Sequence, residues 1–208
     1  MDTKSAYDLW SNRYDSDENK TRDLEAKALR STLDNIEFAD CLEVGCGTGK
    51  NTGWLLTRTN DITAVDLSEK MIAKAKEKIN SNKVNFIVAD INKDWDFTEK
   101  KFGLISFSLV LEHIENLDRI FKEASRTLIP GGHVYIGELH PFKQYGGTKA
   151  RFKTEEGLTV LNCYNHHISD FINAAKRSNL EVIDLNEFFD KNDRTSIPRV
   201  LTILFKKA

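Results

Sequence analysis

Cysteine and proline are both scarce, three of each in 208 residues, and neither falls into a spacing that marks a known scaffold. Cys41, Cys46 and Cys163 are odd in number and form no CxxC pair. That argues against a disulfide framework or a zinc site and for a reducing, cytoplasmic setting. Cys41 and Cys163 read as small buried hydrophobes. No run of about 18 apolar residues could cross a membrane, and the opening stretch MDTKSAYDLWSNRYDSDENK lacks the apolar core of a secretory leader. Neither charge sign dominates: 30 basic and 32 acidic residues leave a net charge of −2, which gives no bulk grip on nucleic acid. Repeats, low-complexity tracts and Pro/Ser-rich linkers are absent too. What remains is 40% hydrophobic and 30% charged, the balance of one soluble globular domain with a sizeable core.

Strand and helix periodicities alternate along this chain. Leu24, Ala28, Leu29 and Leu33 share one face of a helix at 22–33. A strand at 41–44 runs into Gly45-Cys46-Gly47-Thr48-Gly49, then a short helix at 50–56 and a strand at 62–65 ending in Asp66. Ser68 caps the next helix, whose stripe is Met71, Ile72, Ala75 and Ile79. A third strand covers 84–89 and ends in Asp90; the apolar run 104–109 is a fourth, buried on both faces. Leu117, Ile120, Phe121, Ala124 and Leu128 recur at helical spacing up to Pro130-Gly131-Gly132, and 133–137 is the fifth strand. A last helix carries Ile168, Phe171, Ile172 and Ala175, and strands near 181–188 and 200–205 follow with a linker too short for a crossover. The expected fold is therefore α/β, a Rossmann-like three-layer sandwich. Its seven-stranded sheet is mostly parallel and closes with an antiparallel C-terminal hairpin.

In such sheets ligands sit beyond the carboxyl ends of the strands. The glycine run, Asp66 and Asp90 all fall there, a pattern that marks a cofactor containing a nucleoside. Its charge decides which one. A dinucleotide fingerprint wants Gly or Ala where Lys50 stands, and Glu43, two residues before Gly45, would repel a pyrophosphate. A carboxylate there attracts a cation instead, and S-adenosylmethionine carries a sulfonium and an ammonium without any phosphate. A Walker-type loop fails as well, since Asn51 stands where Ser or Thr would hold magnesium.

These segments also carry a family resemblance. Leu42-Glu43-Val44-Gly45-Cys46-Gly47-Thr48-Gly49 resembles the first motif of the class I S-adenosylmethionine-dependent methyltransferases, small-molecule branch. Val65-Asp66-Leu67-Ser68 with Met71, Ala89-Asp90-Ile91, Leu109-Val110-Leu111-Glu112-His113-Ile114 and Leu128-Ile129-Pro130-Gly131-Gly132 resemble its later motifs, in order, over about 38–140. Gly103 departs from the acid that often precedes the fourth strand. The resemblance implies roles. Gly45, Cys46, Gly47, Thr48 and Gly49 lie against the methionine and ribose of the cofactor, and Glu43 favours its cationic end. Asp66 takes both ribose hydroxyls. Leu67 and Met71 flank the adenine, Asp90 and Ile91 receive its amino edge, and Ser108 and Leu109 border the methyl. The aromatic lead-in from Tyr7 to Asp15 resembles that of quinone-biosynthesis methyltransferases, making Tyr14 a lid residue with Trp10 packed beneath it.

The expected division is an N-terminal helical lid (1–37), a cofactor core (38–140), a substrate-side lid (141–165) and a C-terminal helix with the hairpin (166–208). The expected activity is methyl transfer to an unidentified small molecule, leaving S-adenosylhomocysteine; a protein methyltransferase or a non-catalytic binding module has the same cofactor motifs. His140 and His113 are the candidate general bases, needed only where the acceptor loses a proton early. His133 reads as structural, and His166 and His167 as capping or surface residues. No acid–His spacing repeats, so no metal is expected. Lys143, Lys149, Arg151 and Lys153, among Phe142, Tyr145 and Phe152, suit either an anionic or aromatic acceptor or a solvated face. The Asp/Asn-Pro-Pro-aromatic element used on flipped bases is absent, so nucleic acid is not an expected partner. Oligomeric state is left open.

Overall fold

A parallel strand with neighbours on both sides and helices above and below has no face left for solvent, and its side chains must be apolar throughout. The run at 41–44 meets that condition at Cys41, Leu42 and Val44, carries one acid in Glu43, and forms a strand buried over its whole length. The structure, a computed structural model, describes residues 2–154 and 157–208. In chain order its elements are α1 (Thr3–Trp10), α2 (Lys20–Leu33), β1 (Cys41–Val44), α3 (Lys50–Leu55), β2 (Ile62–Asp66), α4 (Glu69–Lys78), β3 (Val84–Val88) and β4 (Phe102–Ser108). A 3-10 turn at Leu111–His113 precedes α5 (Leu117–Thr127), β5 (Leu128–Leu139), α6 (Pro141–Tyr145), β6 (Arg151–Thr154), β7 (Gly157–Val160), α7 (Ile168–Arg177), β8 (Leu180–Phe188) and β9 (Val200–Lys207).

The main sheet has seven strands in the order β3-β2-β1-β4-β5-β9-β8. β3 to β5 are parallel, and β9 lies antiparallel between β5 and β8, as expected for the last two strands. Period-two alternation divides the core into two layers. Cys41, Leu104, Tyr135 and Leu204 face one side, with Leu29 and Leu33 of α2, Leu55 of α3 and Ile72 of α4. Leu42, Ile105, Val134, Ile136, Ile203 and Phe205 face the other, against Ile120, Phe121 and Ala124 of α5 and Phe171 and Ala174 of α7. Buried side chains of this size contribute about 1.5–3 kcal/mol each.

The boundaries moved where the turn chemistry is unusual. Leu128 does not extend the helix; it starts β5 and pairs with Phe102. Pro130, Gly131 and Gly132 fall inside that strand at a register shift, with Gly131 at φ +75°. Gly103 sits within β4, its N–H held by Asp40 Oδ1 at 2.7 Å. His140 and Pro141 begin the short helix α6, with proline at its first position. β6 and β7 form a second, two-stranded antiparallel sheet, which ends at Val160. A third apolar cluster joins that hairpin to the N-terminus: Trp10 stacks on Phe152 with ring centroids 5.0 Å apart, beside Ala6 and Leu161. The side chain of Lys153 lies outside the described residues.

Candidate functional site

The site begins with the turn that ends β1. The N–H groups of Gly45 and Cys46 both donate to Val65 O, at 2.7 and 3.0 Å, and tie the turn to the end of β2. Gly45 has φ +74°, and a Cβ on it would lie only 2.1 Å from Val110 Cγ2. A side chain cannot stand there. Gly47 is also left-handed, but a Cβ on it would project toward open space, 3.9 Å from the ring of Tyr14. Bare backbone at Gly47 is thus a wall, and any side chain would fill what the wall encloses.

Asp66, at the tip of β2, links that turn to the next helix. Oδ2 accepts from Gly47 N–H and Oδ1 from Ser68 N–H, each at 2.8 Å. Burial pushes its carboxyl pKa up, opposed by those backbone donors. Ser68 caps α4 by accepting from Met71 N–H, as its position predicts. Around Asp66 lies a cavity of about 740 Å³, walled by Tyr7, Tyr14, Gly45, Gly47, Leu67, Asp90, Ile91, Ser108, Leu109 and His113. Leu109 adopts φ +57°, and its N–H donates to Gly137 O at 2.8 Å.

A second, smaller cavity of about 410 Å³ lies on the far side of the turn and shares Tyr14, Gly45, Gly47, Ser108 and Leu109 with the first. Cys46, Thr48, Glu43, Glu25, Arg22, Lys50 and Asn51 complete it. Glu43 is buried and accepts from Thr52 Oγ1; desolvation pushes its pKa up to about 8. Glu25, from α2, accepts from Asn51 Nδ2 at 3.0 Å and from Tyr135 OH at 3.1 Å, and burial raises its pKa too. The Arg22 guanidinium lies 4.1 Å from the centroid of the Tyr14 ring. Its Nη2 donates to Asp17 O, while Nη1 is buried without a hydrogen-bond partner among the described residues. Cation, aromatic face and two carboxyl groups surround one space. Neither Arg22 nor Glu25 stood out in the sequence, because both lie on a helix whose periodicity marks only its apolar stripe.

Three expected residues fall elsewhere. Gly49 is the left-handed N-cap of α3, and a Cβ there would meet Ile79 Cδ1 at 2.8 Å, so it serves helix packing. Met71 is buried in α4 and does not border either cavity. His140 is fully buried outside both. Its Nδ1 accepts from Phe142 N–H at 3.2 Å to cap α6, so Nε2 carries the proton and donates to Glu187 Oε1 at 3.0 Å. Burial lowers its pKa, and the ring is neutral. His113, by contrast, borders the main cavity: its Nε2 meets Tyr7 OH at 2.8 Å and its Nδ1 meets Asn162 O at 3.1 Å. His167 caps α7 and His133 lies in β5, both as expected. Lys143, Lys149 and Arg151 line neither cavity.

An open, mainly parallel sheet with this strand order and an acid-ringed glycine turn defines a Rossmann-like protein for a nucleoside cofactor. Residues 42–136 match the family described as Methyltransferase domain. A malonyl-[acyl-carrier protein] O-methyltransferase of Ilyobacter polytropus is 34% identical over 142 residues, covering 67% of this chain and 51% of that protein. The chain thus spans about half the length of that relative. Among solved structures, the N-methyltransferase NodS of Bradyrhizobium japonicum in complex with S-adenosyl-L-homocysteine superposes with a TM-score of 0.73 at 18% identity, over 100% of this chain and 99% of that one. An S-adenosylmethionine-dependent methyltransferase from Mesorhizobium loti does so with 0.72 at 22%, over 87% and 96%. Residues 42–136 thus carry the match to the methyltransferase-domain family, on the fold of the solved S-adenosylmethionine-dependent methyltransferases.

Proposed function

We propose that this chain binds S-adenosylmethionine across the two joined cavities and transfers its methyl group to a small-molecule acceptor, leaving S-adenosylhomocysteine. One observation carries the reading: Glu25, Glu43 and Asp66 surround the glycine turn where a dinucleotide would place its pyrophosphate. Glu43 and Glu25 would receive the ammonium of the amino-acid end. The unpartnered Nη1 of Arg22 is placed for its carboxylate, a charge-assisted bond. Asp66 would hold the ribose hydroxyls, Leu67 and Ile91 the adenine faces, and Asp90 its amino edge. When bound, the sulfonium supplies an activated methyl with its leaving group built in. The chain's share is orientation: Ser108, Leu109 and His113 border the methyl end and hold the acceptor in line. Segments 1–37 and 141–165 form the cap, joined through the Trp10–Phe152 stack, over a 38–140 cofactor core; 166–208 completes the sheet. A cytoplasmic location and an acceptor other than nucleic acid belong to the same reading.

Titration calorimetry with S-adenosylhomocysteine and with NADH tests it. Micromolar binding of the first, about −8 kcal/mol, with NADH at least ~100-fold weaker, supports the proposal. The reverse order overturns it. Transfer of label from methyl-tritiated donor into a cell extract separates an enzyme from a protein that only holds the cofactor.

A further inference from the structure

We propose that Glu112, His113 and Cys163 form a zinc-type metal site in the wall of the main cavity. Their ligand atoms all lie within 4.8 Å of one another. The site stands on this geometry and does not depend on methyl transfer. Sequence spacing gave no sign of it, because its donors come from the 3-10 turn after β4 and from the stretch beyond β7. Those segments are fastened together by the backbone, Tyr164 N–H donating to Glu112 O at 2.7 Å.

Glu112 and His113 are already turned to that task. The Glu112 side chain is 7% exposed; Oε1 lies 3.9 Å from His113 Nε2, and Oε2 is buried with no hydrogen-bond partner among the described residues. A buried carboxylate oxygen left without a donor is costly and calls for a cation or a proton. His113 Nδ1 faces the carbonyl of Asn162, which can only accept. The proton therefore sits on Nδ1 and the lone pair on Nε2, the arrangement that orients metal-bound imidazoles. In the metal-free chain, Tyr7 OH donates to that lone pair; a metal would take it and leave the phenol alongside. Cys163 would bind as thiolate, its proton passing to solvent. Sulfur, imidazole and carboxylate together suit Zn²⁺ and not Mg²⁺ or Ca²⁺, which favour oxygen alone. The donors must close by about an ångström to reach Zn–N and Zn–O of ~2.0–2.2 Å and Zn–S of ~2.3 Å. Three protein ligands leave a fourth position, and since His113 borders the cavity that position opens onto it.

Titration of the full chain with CoCl₂ reads the site directly, because cobalt bound by thiolate gives an ultraviolet charge-transfer band. A band that saturates at one equivalent is expected, together with stoichiometric zinc by elemental analysis after dialysis. Cys163→Ser should remove the band, Cys41→Ala should keep it, and His113→Ala or Glu112→Gln should weaken cobalt binding by ~10–100-fold or more. A cooperative urea-unfolding transition checks that each variant is folded. Absence of the band in the wild-type chain, or its survival in folded Cys163→Ser, overturns the site. A chain that shows the band but ignores S-adenosylhomocysteine keeps the metal site and loses the methyl-donor reading; the opposite result does the reverse.

Discussion

Asp66→Ala separates what a carboxylate does for the fold from what it does for the ligand. In the free protein it satisfies two backbone donors, Gly47 N–H and Ser68 N–H, both at 2.8 Å. Water can reach part of the half-buried site, so losing these bonds costs about 1–3 kcal/mol of stability in total. The ligand loses two hydrogen bonds from its ribose hydroxyls to a charged group. Hydroxyls that stay hydrated recover part of that, and a net loss of about 1.5–3 kcal/mol remains, roughly 10–150-fold in Kd. Calorimetry with S-adenosylhomocysteine gives the second number, and urea unfolding of the ligand-free protein gives the first. Asp66→Asn keeps one acceptor oxygen but turns an amide donor toward the other N–H, so it should fall between alanine and wild type in affinity. A folded alanine variant that binds S-adenosylhomocysteine within ~2-fold of wild type would refute the ribose assignment and leave Asp66 a turn residue.

Three further outcomes follow from the same geometry. Gly47→Val puts a branched side chain into the cavity from a left-handed position (φ +53°) and should abolish cofactor binding while the unfolding transition survives; wild-type affinity would contradict the bare-wall argument. Glu43 keeps its proton up to about pH 8 in the folded chain against 4.5 ordinarily, so the ligand-free protein binds more protons folded than unfolded and should lose stability as pH rises from about 4.5 to 8. An ammonium placed beside it favours the carboxylate, so affinity for S-adenosylhomocysteine should rise over pH 6–8 in the wild type and flatten in Glu43→Gln; a flat wild-type profile would remove Glu43 from the ammonium site. His140→Ala loses the cap of α6 and should lower stability by about 1–2 kcal/mol with S-adenosylhomocysteine affinity unchanged, whereas a tenfold weaker Kd would restore His140 to the site.

How far the sequence could be read depended on how local the cause was. β1, the glycine turn and Asp66 were legible because the turn needs glycine where Val110 closes in, and the acid needs to sit at the next strand's tip. The partners are distant, but each residue is also marked locally, by the strand that precedes it and the helix that follows. Leu128 was misassigned because helical spacing and the first residue of β5 ask for the same side chain, and only pairing with Phe102 decides between them. His140 and Pro141 carried a signal that chemistry alone leaves double-valued: an imidazole beyond a strand end can meet substrate or cap a helix, and Phe142 N–H settles it as a cap. Glu25, Arg22 and Glu138 escaped notice for a different reason. Glu138 Oε1 holds the N–H groups of Val110 and Leu111 at 2.9 and 2.8 Å and so fixes the turn that carries His113 toward the cavity. Its need for burial, like that of Glu25 under Tyr135, arises only once distant strands and helices have met. Acids made costly by tertiary burial therefore look, in the sequence, like any solvated surface charge. That is why the side of the pocket built from turns, around Asp66 and Asp90, is more legible in the sequence than the side that Arg22 and Glu25 bring in from a distant helix.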